Sequence, residues 1–183
     1  MQQEYGKEYY ERYHGISYNP IRVVKRYKIP KSFKILLIPC GDGKYVVNMR
    51  KRGWNIFGAD INEYALSQCE HKFRIKYLLR QDIRNMNLIE SNSFDLVICR
   101  YLLEHFIKED IIKALSELHR VSRNLVYVGV TTADVKPHNL YNDPTHKFFA
   151  TFSEWTNLIL ETNLFSLIKK NRQKEEWLLK VIK

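Results

Sequence analysis

Five short apolar runs separated by amphipathic stretches constrain this chain more than any other feature. They fall at 34–40 (KILLIPC), 54–59, 75–79, 94–99 and 125–130. Runs of that length bounded by turn residues read as strands, and the stretches between them carry helical periodicity. A helix is expected over about 21–28, another from Val46 to a closing Gly53, and a third over 62–72 capped by Asn62. A long one should end near Arg120, with Ile107, Ile111, Ile112, Leu115 and Leu118 on its apolar face. Alternation of this kind predicts a parallel sheet with helices on both faces. KILLIPC is apolar on both sides, as a central parallel strand requires.

The end of the chain follows a different pattern. A 131–152 loop rich in His, Asp, Asn and Pro is followed by a helix capped by Ser153, with Asn163 as its left-handed terminator. Two β-like runs, 165–169 and about 177–182, flank the polar NRQKEE. They predict a hairpin that adds antiparallel strands to the sheet edge. The expected class is α/β: a doubly wound, seven-stranded, mostly parallel sheet with an antiparallel C-terminal hairpin. One domain is expected over 1–183, comprising a helical N-terminal lid (1–30), a core that binds the cofactor (34–130) and a substrate-side region (131–183). A helix over 3–14 places Tyr5, Tyr9 and Tyr13 on one face. That face either packs against the body or covers a cleft, with Tyr9 and Tyr13 toward substrate.

Chemistry concentrates at the carboxyl edge of the predicted strands. Cys40-Gly41-Asp42-Gly43 makes a sharp turn after the first, Asp60 ends the second, and Asp82 follows the third. Glycines let a backbone approach a ligand, and an acid at the next strand tip can accept both hydroxyls of a ribose. A second acid can accept an adenine amino group. Arg100, Tyr101 and His105 follow the fourth strand at the same edge.

The formal net charge of +10 favours anionic partners, but the basic residues are scattered and form no stripe. Three cysteines without CxxC spacing point to free thiols and a cytoplasmic setting. The start carries no signal-peptide pattern, and no run reaches the roughly 18 apolar residues of a membrane span.

Together the pieces IPCGDGKY, FGADIN, RQDI and FDLVICRYLLEHF make the chain resemble the class I S-adenosylmethionine-dependent methyltransferases over essentially its whole length. The resemblance implies a Rossmann-like methyltransferase fold and S-adenosyl-L-methionine as cofactor, with S-adenosyl-L-homocysteine as product. It places Cys40, Gly41 and Gly43 against the methionine moiety, and Asp60 with Ile61 at the ribose. Asp82 and Ile83 fall at the adenine, with Arg100 and Tyr101 near the transferred methyl. Two positions depart from the family pattern, Leu37 replacing an acid and Pro39 a glycine.

YNDPTHKFFATFSEW resembles the corresponding region of small methyltransferases acting on sugars and natural products. That implies O-methylation of a small molecule or glycan precursor. The fourth-strand motif CRYL differs from the Asn/Asp-Pro-Pro-aromatic run of base-amino methyltransferases. The cysteines also lack the context of a pyrimidine carbon-5 nucleophile, so nucleic acid is a less favoured acceptor. Histidines remain as bases for a hydroxyl: His105, His138, and His146 oriented by Asp143. Arg100 is a further catalytic candidate. No metal is expected, because His138, Asp143 and His146 are irregularly spaced. Three alternatives stay open: an RNA or protein methyltransferase, a non-catalytic cofactor-binding partner subunit, and a nucleotide-dependent dehydrogenase, for which Val46 stands where a third glycine belongs.

Overall fold

The computed structural model describes residues 7–8, 11, 19–69, 76–134 and 143–183. Seven strands contribute to one mixed sheet. The chain divides into two compact units, Met1–Ile83 and Arg84–Lys183. Of the expected 3–14 helix, Tyr5, Tyr9 and Tyr13 lie outside the described residues, as do His138 and Tyr141 of the long loop.

The first unit contains α1 (Ile21–Arg26), β1 (Lys34–Ile38), α2 (Lys44–Lys51), β2 (Asn55–Asp60), α3 (Glu63–Ser67) and β3 (Leu78–Arg80). Its strands lie in the order β3-β2-β1, all parallel. Ile35, Leu36, Leu37 and Ile38 are all buried, which explains the unbroken apolar run of β1. Helix α2 buries Val46, Val47 and Met49. It closes with paired bonds in which Gly53 N–H donates to Arg50 O at 2.9 Å and Trp54 N–H to Met49 O at 3.1 Å. This 5→2 and 6→1 pattern needs a left-handed residue, and Gly53 supplies it at φ 81°. Arg50 then leaves the helix end sideways, donating to Ile56 O at 2.7 Å with its guanidinium 3.4 Å from the Tyr77 ring centre. Asn62 caps α3 as expected, accepting from Ala65 N–H. The helix stops at Ser67, short of the expected 72, and β3 begins at Leu78, where the sequence pattern suggested 75.

The second unit holds β4 (Phe94–Arg100), a 3₁₀ turn (Leu103–His105), α4 (Lys108–Val121), β5 (Ser122–Gly129), α5 (Phe152–Glu161), β6 (Phe165–Asn171) and β7 (Glu176–Val181). Its strand order is β4-β5-β7-β6, with β4 and β5 parallel and the last two pairings antiparallel. The expected hairpin is present, β7 inside and β6 at the edge. The buried face of α4 is Ile111, Ala114, Leu115, Leu118 and Val121, whereas Ile107 and Ile112 are exposed. The apolar stripe is therefore rotated from the expected one: Ala114 and Val121 take the places assigned to those isoleucines. Arg120 on this helix donates to Met86 O and Ile89 O while pairing with Glu117, whose carboxylate accepts from Met86 N–H. These bonds satisfy backbone groups of a segment that has no strand partner of its own.

Thr151, and not the expected Ser153, caps α5. Thr151 and Glu154 form a reciprocal capping box, the T-x-x-E pattern two residues upstream of the serine. Behind it Phe152 stacks on Trp177 with ring centres 4.5 Å apart, and the Trp177 indole donates to Thr156 Oγ1 at 2.9 Å. These contacts pack α5 against the terminal hairpin. Asn163 adopts φ 57°, the left-handed terminator read from the sequence.

Candidate functional site

In the first unit the loop after β1 and the tip of β2 are joined by one carboxylate. Cys40 N–H donates to Ala59 O at 2.9 Å, carrying the β1–β2 pairing past Pro39. Gly41 N–H then donates to Asp60 Oδ2 at 2.8 Å, and Asn62 N–H to Asp60 Oδ1 at 2.9 Å. Both oxygens thus accept from the backbone, and a carboxylate has about four lone-pair sites in all. Asp60 is buried, and desolvation pushes its pKa up to about 6 against the lowering effect of those amides. Such a carboxylate gains from hydroxyl donors that arrive without bulk water. Gly41 at φ 56° gives the turn its shape, so the acceptor chemistry of this tip fits a ribose diol. Ile61 is half-buried beside Asp60.

Gly43 is glycine for a different reason. A Cβ there would lie 2.5 Å from Leu78 Cδ1, at a φ of 72°. Its absence makes room for β3. Gln81 N–H donates to Asp60 O at 3.0 Å, extending the β2–β3 pairing by one step. Half-buried Asp82 and buried Ile83 follow at the same edge as Asp60. Leu37, where the family pattern has an acid, is a buried core residue.

In the second unit Arg100 is turned toward the sheet edge. Its guanidinium donates to Tyr127 Oη at 2.9 Å, Glu176 Oε2 at 3.2 Å, Tyr101 Oη at 2.7 Å and Lys174 O at 3.1 Å. Gly129, its register partner on β5, makes this path open, because a Cβ would meet Arg100 Cγ at 2.9 Å. Arg100 therefore ties β5 to β7 through these bonds. Tyr101 accepts one of its bonds and sits at φ 54°, a strained conformation for a tyrosine.

Glu104 and His105 follow in the 3₁₀ turn, both buried. Glu104 Oε1 accepts from Thr131 N–H at 3.0 Å, while Oε2 has no partner among the described residues. Burial drives its pKa up to about 7. The raised value means that Glu104 stabilises the fold below its unfolded pKa and loses that contribution as pH rises through about 7. Glu104→Gln should remove this slope, since an amide keeps the acceptor for Thr131 and carries no charge. In denaturant titrations between pH 6 and pH 8.5, the stability of wild type should fall by about 1.4 kcal/mol relative to the variant, since pH 6 lies about one pH unit below the folded pKa. Parallel pH profiles would be the contrary result.

The Glu104 carbonyl accepts both Lys147 N–H at 2.8 Å and Phe148 N–H at 3.1 Å, fastening the DPTH segment beside His105. Asp143 holds His146 through its carbonyl, which accepts His146 N–H at 3.1 Å, and its carboxylate makes a further connection. Asp143 Oδ1 accepts from Thr145 N–H at 2.9 Å and Thr145 Oγ1 at 2.6 Å, and Thr145 Oγ1 lies 2.8 Å from His105 Nδ1. With the threonine proton given to Asp143, Thr145 accepts from Nδ1–H, a tautomer assigned from the network that leaves Nε2 without a proton. His146 meets His105 edge-to-face, with ring centres 4.7 Å apart. Burial lowers the His146 pKa, with Asp143 opposing. Burial also works to raise Asp143, but the Thr145 bonds outweigh it and hold the carboxyl below its usual range. Thr145 was missed in the sequence, although an acid two residues before a threonine is the pattern of a local Asx turn.

Cys40 and Cys99 are buried thiols whose pKa values desolvation raises far above the ordinary range. They are core residues and poor nucleophiles. No helix among the described residues is long and apolar enough to cross a membrane.

Several known proteins are similar to this chain in sequence or fold. Residues 36–128, half of the chain, match the family described as a methyltransferase domain. YqeM of Bacillus subtilis (strain 168) is 27% identical over 97 residues, which is 51% of this chain and 39% of that protein. The chain thus spans well under half the length of the curated relative it matches. A S-adenosylmethionine-dependent methyltransferase from Methanosarcina mazei has a similar fold, with a TM-score of 0.68, 16% identity and coverage of 87% of this chain and 97% of that one. Magnesium protoporphyrin IX methyltransferase from Synechocystis PCC 6803, with bound S-adenosylhomocysteine, has a TM-score of 0.65 at 16% identity, covering 89% of this chain and 80% of that one.

Proposed function

This chain belongs to the class I S-adenosylmethionine-dependent methyltransferase family, and on that premise we propose that it O-methylates a small molecule or glycan precursor. The observation that carries the acceptor reading is the hydrogen-bonded chain from Asp143 through Thr145 to His105, with His146 alongside. A hydroxyl must lose its proton as it is methylated, and an imidazole whose second nitrogen is held by such a chain is an oriented base. The deep burial of Cys40 and Cys99 speaks against either one as a nucleophile for carbon methylation.

When bound, the cofactor supplies an electrophilic methyl on a sulfonium sulfur. In the first unit, Asp60 would accept the ribose hydroxyls, with Cys40, Gly41, Gly43 and Ile61 forming the wall. Asp82 and the Ile83 backbone would receive the adenine. In the second unit, Arg100 and Tyr101 would border the methyl, while His105 and His146, ordered through Asp143 and Thr145, would take the acceptor proton. His138 keeps its place as a base candidate, and Tyr9 and Tyr13 theirs as substrate contacts of an N-terminal lid. Tyr64 of α3 donates to Glu11 at 3.0 Å, which ties that segment to the helix following Asp60. We place the protein in the cytoplasm, acting as one domain over 1–183.

The test is transfer of labelled methyl to a panel of small hydroxyl compounds and nucleotide-linked sugars, with RNA and protein as parallel acceptors across a salt series. Products with an O-methyl group on small hydroxyls support the reading. Labelled RNA with a steep salt slope, or labelled protein, would overturn it.

A further inference from the structure

We propose that His105, Asp143 and His146 bind one divalent transition-metal ion, with zinc as the representative, and that this ion takes the acceptor hydroxyl. One ligand atom from each residue lies within 4.8 Å of the others, in a setting where two of the three are buried. Two imidazoles and one carboxylate are the donor set of catalytic zinc and of other imidazole-binding first-row ions. A tetrahedral zinc site needs ligand atoms only about 3.4 Å apart, given Zn–N and Zn–O bonds near 2.0–2.1 Å. Binding would therefore draw the three side chains inward. Three protein ligands leave a coordination position open.

The surroundings supply the second layer that such ligands require. His105 Nδ1 is 2.8 Å from Thr145 Oγ1, so the ring would bind the ion through Nε2, and the same threonine donates both its N–H and its hydroxyl to Asp143 Oδ1. Ligand histidines in metal sites are held this way at the nitrogen that does not bind. His146 is kept close by its own N–H, which donates to Asp143 O at 3.1 Å, and by the bonds from Lys147 and Phe148 to Glu104 O. Residues from two separate parts of the chain therefore meet with their orientations already set.

The proposal rests on the O-methyl acceptor of that reading but changes the fate of its proton, because imidazoles that hold the ion no longer serve as the base; the metal site itself does not require the acceptor reading. A hydroxyl on the ion would release its proton to solvent. Its oxygen would then form the new O–CH₃ bond while the S–CH₃ bond of the donor breaks. The products are a methyl ether, S-adenosylhomocysteine and the released proton.

The experiment is calorimetric titration of the full, chelator-treated chain with zinc sulfate, followed by cobalt(II) absorption spectroscopy. Wild type should bind one ion per chain and give the intense visible bands of four- or five-coordinate cobalt. His146→Gln should weaken zinc binding at least tenfold, with an unchanged thermal transition as the control for folding. His105→Asn is the second variant should that one unfold. No stoichiometric binding by wild type, or equal affinity in a folded variant, would overturn the site. Metal binding without any O-methyl product overturns only the acceptor reading, and O-methyl transfer by metal-free protein overturns only the metal.

Discussion

Glu176→Ala is expected to destabilise the protein by about 3–5 kcal/mol, the range for removing one partner of a buried ion pair. Glu176 is fully buried on β7, and its Oε2 accepts from Arg100 at 3.2 Å and from Tyr127 Oη at 2.6 Å. Deleting the carboxylate leaves a guanidinium without its counter-charge in a site where its side chain is 8% exposed. Tyr127→Phe removes two hydrogen bonds from the same network, one accepted from Arg100 and one donated to Glu176, and should cost about 2 kcal/mol. Replacing both charges, Arg100→Met with Glu176→Leu, should recover most of the loss, because the desolvation cost disappears with the pair. Urea denaturation of the four proteins measures this ordering. A Glu176→Ala loss no greater than that of Tyr127→Phe would show that Arg100 finds other compensation.

The second large effect concerns the cofactor. On the proposed role, Asp60→Ala should weaken S-adenosylmethionine binding about 100-fold or more, since two hydroxyl bonds to a charged acceptor are lost at about 1.5–3 kcal/mol each. Isothermal titration reads this directly, and retention of affinity within about threefold would remove Asp60 from the ribose site. The pH dependence has a definite sign. Burial raises Asp60 to about 6, so in the empty protein the neutral form is the favoured one below that pH. Ribose hydroxyls donate to the ionised form, so affinity should be highest above pH 6 and fall as pH drops through it. Asp60→Asn should lose this slope.

Much of the architecture was legible in the residues. The two-sided apolar run of β1, the glycine closing α2, the Asn62 cap and the terminal hairpin were each written in local chemistry. Boundaries were less legible where local signals competed. Ser153 and Thr151 both suit a helix cap, and only the glutamate three residues after Thr151 decides between them. The apolar stripe of α4 was misread because isoleucine is a stronger hydrophobic signal than alanine. The burial of Ala114 reflects the close approach of β-strands to that face, which periodicity alone does not report.

For the candidate site, sequence order determined what lies at the ends of consecutive strands: Asp60 ends β2 and Asp82 follows two residues after β3, so a strand reading places them at one edge. Side-chain direction was beyond it. Arg100 follows β4 as read, yet its guanidinium runs across Gly129 to Glu176, a residue 76 positions away. The pairing of His105 with Thr145, 40 positions apart, arises because backbone groups of Lys147 and Phe148 find their acceptor on Glu104. Local propensity and periodicity act over a few residues, and so they reveal strands, turns and caps. Which buried polar groups satisfy one another depends on contacts between distant segments, and only the folded chain decides those.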